Sequence, residues 1–310
     1  MSPVSGRGLH HVTAVATDPI RNLAFYRDVL GLRLEKRTVT HEDPGAYHLI
    51  YGQNRGLPGG HLTFFSWPSS APAPRRPDET EFVSFAIDPS TFGWWEEHLG
   101  RSSVDCHRGA LPSGEAALLL EDPDGLKLAL VGGTAGQAES PQGAVLAPAA
   151  VRGLHAVALS LRAADLMAAI LTQVLGYRAT GRHGDWSEFT AHDEAGGTFW
   201  LHRRSEDGRA RLGAGALHHV AFRARDGGHQ ADIATRLGRL FGIEAGPVKD
   251  RFYSRSVHFR GPDGILIEIA TDGPGLLIDE RPDDLGRRLA LPPDLEVRRA
   301  ELLRLLPPLD

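Results

Sequence analysis

A chain of 310 residues with 41% hydrophobic content is long enough for a large core and for about two domains. Its formal charge of −5 and pI near 6.3, with Arg75-Arg76 too short to count as a basic block, argue against a nucleic-acid partner. The single cysteine, Cys106, excludes an intramolecular disulfide and a Cys-rich zinc site and suits a reducing cytosol. Met1 to Arg7 lacks the apolar core of a signal peptide, and no apolar run reaches the roughly 18 residues of a membrane span, so a cytoplasmic protein without membrane contact is expected.

The first element, Gly8-Leu9-His10-His11-Val12, reads as a strand. A helix follows it. Asp18 can cap that helix, Pro19 fits its first turn, Ile20, Leu23, Tyr26 and Leu30 lie near one face, and Gly31 ends it. Beyond Gly31 come alternating β-branched or aromatic runs separated by Gly and Pro, which read as strands joined by tight turns. The unit is β-α-β-β-β.

The unit recurs. Gly153-Leu154-His155-Ala156-Val157 repeats the opening strand, and Gln173-Val174-Leu175-Gly176-Tyr177-Arg178 repeats the helix end Asp28-Val29-Leu30-Gly31-Leu32-Arg33. Two weaker copies open at Phe82-Val83-Ser84-Phe85 and Leu217-His218-His219-Val220. They close at Leu126 to Leu130 and Ile265 to Ile269, after the turns Asp122-Pro123-Asp124-Gly125 and Gly261-Pro262-Asp263-Gly264. The four modules span about 8–67, 81–133, 152–203 and 216–272. The expected organisation is an N-terminal half (8–133), a Gly/Ala/Pro-rich linker (134–150), a C-terminal half (152–273) and a Pro-rich tail (274–310). Asp294, Val297, Ala300, Leu303 and Leu306 mark a tail helix, read as packing rather than chemistry.

Comparison of the copies isolates a candidate site. The opening-strand position reads His11, Phe82, Ala156 and His219, and the closing-strand position is aligned as Phe64, Ala129, Leu201 and Glu268. Modules two and three are apolar throughout, whereas modules one and four supply two His and a Glu. An ionised carboxylate inside Ile265-Leu266-Ile267-Glu268-Ile269 is costly unless paired or bound to a cation. Two His and one carboxylate are the donor set that leaves positions open on non-haem Fe(II), and Phe64 leaves the fourth repeat position without a ligand. Ligand convergence then requires the first and last modules to adjoin. His10 and His218, assigned to the opposite face of their strands, are either hydrogen-bond partners of this set or half-buried histidines beside the module interface. His155 holds the same place where no ligand set exists.

The His-His-Val strand, the Phe25-Tyr26…Val29-Leu30-Gly31 helix end and Pro262-Asp263-Gly264…Glu268 resemble the vicinal-oxygen-chelate (glyoxalase/bleomycin-resistance/dioxygenase) superfamily. The likeness is closer to its para-hydroquinone ring-cleaving dioxygenases, through Leu62-Thr63-Phe64-Phe65, Asp250-Arg251-Phe252-Tyr253 and the run Ile267 to Gly275. It implies an α+β fold of four βαβββ modules forming two cup-shaped half-barrels. It also implies an enzyme that holds Fe(II), or Mn(II), with His11, His219 and Glu268 and cleaves a small aromatic with O2. The resemblance puts His10, Thr13, His218 and Arg251 in the substrate pocket, Arg251 being otherwise a solvated loop residue, and the comparison of the repeats puts Phe64 there too, beside the open position. Relatives that cleave hydroquinones usually carry Tyr where this chain has His258, which leaves the dioxygenase class in place and the hydroquinone substrate open. His10, His218 and His258 are the acid–base candidates, and a homo-oligomer is expected. Rival expectations are a glyoxalase-type isomerase, which wants a fourth protein ligand; a metal-free small-molecule-sequestering protein; and a thiol transferase, normally a two-module chain.

Overall fold

The computed structural model describes residues 7–71, 80–133, 141–192, 196–205 and 212–309. Met1 to Gly6, Arg75-Arg76 and residues 134–140 of the expected linker lie outside the described residues. The four units appear as β-α-β-β-β repeats. Module one contains β1 (Leu9–Ala16), helix α1 (Pro19–Leu23), β2 (Arg33–Val39), β3 (Tyr47–Gly52) and β4 (His61–Ser66). Module two contains β5 (Thr80–Ile87), α2 (Phe92–Arg101), β6 (Cys106–Ala110), β7 (Ala116–Glu121) and β8 (Lys127–Gly132). Module three contains β9 (Gly153–Leu161), α3 (Ala164–Gln173), β10 (Arg178–His183), β11 (Trp186–Thr190) and β12 (Thr198–Arg203). Module four contains β13 (Leu217–Ala224), α4 (Gly227–Phe241), the short β14 (Lys249–Asp250), β15 (Ser254–Arg260) and β16 (Leu266–Pro274).

The strands form two eight-stranded sheets that pair modules across the chain. One runs β14-β15-β16-β13-β1-β4-β3-β2 and unites modules four and one; the other runs β10-β11-β12-β9-β5-β8-β7-β6 and unites modules three and two. The central seams, β1 with β13 and β5 with β9, are antiparallel, and each opening strand pairs in parallel with the closing strand of its own module. His11 and Glu268 therefore share one sheet although they stand at opposite ends of the chain. A continuous apolar core holds Leu9, Tyr26, Tyr51, Phe64, Phe199 and Phe222 among others.

Asp18 caps the first helix by accepting from the backbone N–H of Ile20 at 2.8 Å and Arg21 at 3.3 Å, and Gly31 follows with φ +69°. The helix widens into a π-turn over Ala24–Val29, which buries Phe25 and Tyr26 side by side and leaves Ile20 exposed. The single apolar face expected through Ile20 assumes an unbroken 3.6-residue period, and the π-turn breaks it.

The tail is also interrupted. It forms α5 (Pro293–Glu296) and α6 (Arg299–Leu305), and it buries Leu295, Leu302 and Leu306 while Val297 and Leu303 face solvent. The break at Val297–Arg298 restarts the helical count, so the expected stripe through Val297 and Leu303 points outward. Ahead of these helices, the tail crosses β2. Lys36, fully buried, donates to Asp279 at 2.6 Å and to Glu280 at 2.5 Å. Tyr253 donates to the other Asp279 oxygen at 2.9 Å, and the Lys36 ammonium lies 4.9 Å from the Tyr253 ring centroid. Lys36→Met is expected to destabilise the protein by about 3–5 kcal/mol, because it strands the buried Glu280 carboxylate. Denaturant unfolding checks this, and a change below 1 kcal/mol would show that the latch contributes no stability.

Candidate functional site

His10 and His11 both project into one cavity, although neighbours on a regular strand point to opposite faces. The cause is a β-bulge. The register of β1 on β13 slips between Leu9/Phe222 and His11/Ala221, and again between Thr13/His219 and Ala14/Leu217, leaving His10 and His218 as the extra residues. The assignment of His10 and His218 to the opposite strand face is therefore corrected. The same slips occur around Glu81 and His155 in the second sheet, so the bulge belongs to the architecture, and what this cup adds is a histidine after each bulge, His11 and His219, where the second sheet has Phe82 and Ala156.

The bulges arrange the rings as two matched pairs. His10 Nδ1 lies 2.8 Å from His11 Nδ1, and His218 Nδ1 lies 2.7 Å from His219 Nδ1. The Nε2 atoms of His11 and His219 then converge at 2.9 Å. Glu268 Oε2 stands 3.2 Å from His219 Nε2 and 4.0 Å from His11 Nε2. Two donors held about 2.0–2.2 Å from one ion can stand no more than about 4.4 Å apart, and all three separations meet that limit. Among the described residues, these three form a cluster with metal-ligating chemistry.

Thr13, fully buried, places Oγ1 3.0 Å from His219 Nε2 and 2.8 Å from Thr63 Oγ1. His258 Nε2 reaches Glu268 Oε2 at 2.9 Å. Burial alone would raise the Glu268 carboxyl, but hydrogen bonds from His219 and His258 and the nearby His11 hold it well below the usual carboxylate range. Burial pushes His10 down to about 4 and His218 to about 3, so both rings are neutral near pH 7.

The histidines, Glu268 and Thr63 line a cavity of about 420 Å³, an ordinary size for a small-molecule site. Thr13 does not line it: it is fully buried behind His219 and Thr63, which corrects its expected place in the substrate pocket. Phe65, Trp67, Val39, Ile50, Leu266 and Leu276 supply the cavity's apolar surface, and Arg251 and Lys249 stand with Glu42 at its charged side. Arg251 is ion-paired with Glu42, and Lys249 lies 3.6 Å from the same carboxylate. Arg251 thus lines the cavity with its guanidinium tied to Glu42. Leu276 and Gly275 also line the cavity, so the tail, read from sequence as packing alone, builds part of the wall.

Phe64 does not line the cavity. It is fully buried in the core, its ring 4.6 Å from Tyr26 and 6.1 Å from Tyr51. The strand pairing explains the error. Thr13, Ser84, Ala158 and Ala221 stand two residues after His11, Phe82, Ala156 and His219, and they pair with Thr63, Ala129, Trp200 and Glu268. Thr63 is therefore the spatial counterpart of Glu268, and Trp200 replaces Leu201. Counting four residues from the turn glycine works for Gly125 and Gly264 but overshoots by one from Gly60 and Gly197, whose turns lack Pro-Asp-Gly. A slip of one residue in a strand exchanges its faces. In the second sheet Phe82, Ala129, Ala156 and Trp200 pack together, filling the equivalent space with side chains.

Sequence reasoning missed His48, whose Nε2 lies 3.0 Å from Thr63 Oγ1, and His61. It also missed Phe65 and Trp67, whose rings lie 5.0 and 5.6 Å from that of His218. Only the closing-strand pattern of module one, read with Thr63 facing the cup, would have marked Phe65 as its neighbour on the same face.

The family model for the Glyoxalase/Bleomycin resistance protein/Dioxygenase superfamily matches residues 8–130. MhqO of Bacillus subtilis (strain 168), assigned as a ring-cleaving dioxygenase, is 33% identical over 95% of this chain and 94% of its own length. The chlorohydroquinone/hydroquinone 1,2-dioxygenase of Sphingobium indicum is 28% identical over 97% of this chain and 96% of that one. A crystal structure assigned as a dioxygenase from Bacillus subtilis superposes with a TM-score of 0.92 at 33% identity, covering 99% of this chain and 98% of that one. No described helix is long and apolar enough to cross a membrane. The repeated βαβββ units, the paired sheets and these full-length likenesses place the chain in the glyoxalase/bleomycin-resistance/dioxygenase superfamily, with the α+β vicinal-oxygen-chelate fold.

Proposed function

We propose that this chain is an Fe(II)-dependent ring-cleaving dioxygenase that uses O2 on a hydroquinone or catechol-like aromatic. The observation that carries the reading is the convergence of His11 Nε2, His219 Nε2 and Glu268 Oε2 beside a cavity with an apolar surface. The full-length relatives that are ring-cleaving dioxygenases by name support it. The donor set fits a divalent cation. Two imidazole nitrogens 2.9 Å apart cannot both bear protons, and a shared cation accepts both lone pairs and offsets the buried carboxylate. His11, His219 and Glu268 would hold Fe(II), and Mn(II) suits the same donors. When bound, the metal supplies the redox chemistry and a Lewis-acid site that favours ionisation of a phenolic oxygen.

The protein's part is orientation, water exclusion and hydrogen bonding. With Nε2 given to a cation, His11 and His219 carry their proton on Nδ1 and donate it to the neutral His10 and His218. This fixes both ligand rings and leaves His10 and His218 with an Nε2–H for the substrate. Phe65 and Trp67 offer flat apolar surface to an aromatic ring, and Arg251 offers charge to a substrate oxygen. Thr63 supplies no carboxylate at the fourth position, which disfavours a glyoxalase-type isomerase. A cytoplasmic location and a homo-oligomeric state belong to the same reading.

The test is metal analysis of anaerobically purified protein with an oxygen-uptake screen over hydroquinones and catechols. Bound iron, uptake with one of these substrates, loss on chelation and recovery with Fe(II) are expected. Protein that binds aromatics but holds no metal and consumes no O2 would overturn the reading in favour of a sequestering protein. His258 is expected to act through Glu268. His258→Ala should weaken iron retention against a competing chelator roughly 10- to 100-fold, the usual cost of losing a ligand's hydrogen-bond partner. Unchanged retention and turnover would make His258 a bystander.

A further inference from the structure

Glu35, on β2, is fully buried, and all four lone-pair positions of its carboxylate are used. Its Oε1 accepts from the backbone N–H groups of Asn54 at 2.9 Å and Arg55 at 2.8 Å, and its Oε2 accepts from Gly56 N–H at 2.9 Å and from His61 at 3.0 Å. The chain is shaped to allow this. Arg55 and Gly56 take left-handed φ of +52° and +83° and wrap their N–H groups around the carboxylate. A side chain at Gly52 would collide with both partners, its Cβ falling 2.7 Å from His61 Cδ2 and 2.9 Å from Glu35 Cδ. With three backbone donors fixed on it, the carboxylate carries no proton, so the bond to His61 fixes the hydrogen on Nε2. His61 lines the cavity and pairs across the strands with His11, on the flank of the triad opposite His258. Its Nδ1 makes no hydrogen bond with any described residue.

We propose that the Glu35–His61 couple is a further substrate-recognition element, in which His61 Nδ1 accepts a hydrogen bond from a second hydroxyl of the aromatic substrate, one not directed at the triad. This rests on the dioxygenase reading of the same cavity. Glu35 has the role of a positioning residue: it selects the tautomer that leaves an acceptor facing the substrate and fixes the plane of the ring. His61 touches the substrate and makes the site read a diol rather than a monohydric phenol.

The experiment is anaerobic titration of the iron-loaded protein with hydroquinone and with phenol, followed by the quenching of tryptophan fluorescence. Wild type is expected to prefer hydroquinone. His61→Phe is expected to lose roughly three- to ten-fold of that preference, the fold-change for one hydrogen bond, with phenol binding little changed. If His61→Phe fails to fold, His61→Leu, which is smaller and likewise carries no hydrogen-bond acceptor, gives the same comparison. A mere packing role for His61 would weaken both ligands alike and leave their ratio intact, and that result overturns the proposal. Failure of the dioxygenase reading is distinct, because it appears in wild type as absence of O2 uptake with every diol tested, whatever the His61 variants do.

Discussion

Glu268→Gln is expected to lower ring-cleaving turnover by more than about 100-fold while leaving the fold intact. Losing a ligand's hydrogen-bond partner already costs 10–100-fold in metal affinity or activity, so losing the anionic ligand costs more. Glu268 is 5% exposed, its carboxyl is held ionised, and His219 and His258 both lie within 3.2 Å of Oε2. A glutamine of the same shape keeps the packing but cannot offset a dication's charge. One of its terminal atoms also becomes an N–H donor, which opposes any N–H directed at it. Thermal unfolding of the metal-free variant should match metal-free wild type, and iron content by elemental analysis should fall. Wild-type iron content and turnover in Glu268→Gln would remove Glu268 from the metal centre and with it the proposed function.

How far the sequence could be read depended on whether a feature is periodic or geometric. The four modules were legible because helix ends such as Leu30-Gly31 and Leu175-Gly176 and the Pro-Asp-Gly turns recur as words. His11, His219 and Glu268 were legible because ligand-type residues stood where other copies are apolar. The bulges at His10 and His218 were not, since an extra residue in one strand leaves no mark unless its partner's register is known. The π-turn at Ala24–Val29 hid the true face of the first helix for a similar reason. The buried Lys36 joins residues more than 240 positions apart, and a charged residue within a strand normally reads as solvent-facing. Nothing local marked the tail as a cavity wall. The His61–Glu35 couple was likewise hidden, since its members stand 26 residues apart on β2 and β4, strands separated in the sheet by β3, and no spacing rule joins them.

The one-residue error at Phe64 yields the sharpest pair of variants. Thr63 faces the cup as the spatial counterpart of Glu268, and Phe64 faces the aromatic core. Thr63→Glu would bring a second carboxylate toward the His11–His219 pair from the opposite strand, next to Thr13 and His48. It is expected to retain metal and to lower O2 uptake at least about ten-fold, because a fourth protein ligand removes an open position needed for substrate or O2. Phe64→Glu, the variant that residue counting alone would select, is expected to destabilise the fold by more than about 3–5 kcal/mol. It removes a fully buried ring from between Tyr26 and Tyr51 and forces a carboxyl into apolar surroundings. Elemental analysis, oxygen uptake and denaturant midpoints measured on both proteins separate the effects. A folded Phe64→Glu that keeps its iron and loses O2 uptake, beside an active Thr63→Glu, would mean that β4 presents its other face to the cup in the working protein, and the assignment of the open position to Thr63 would fall.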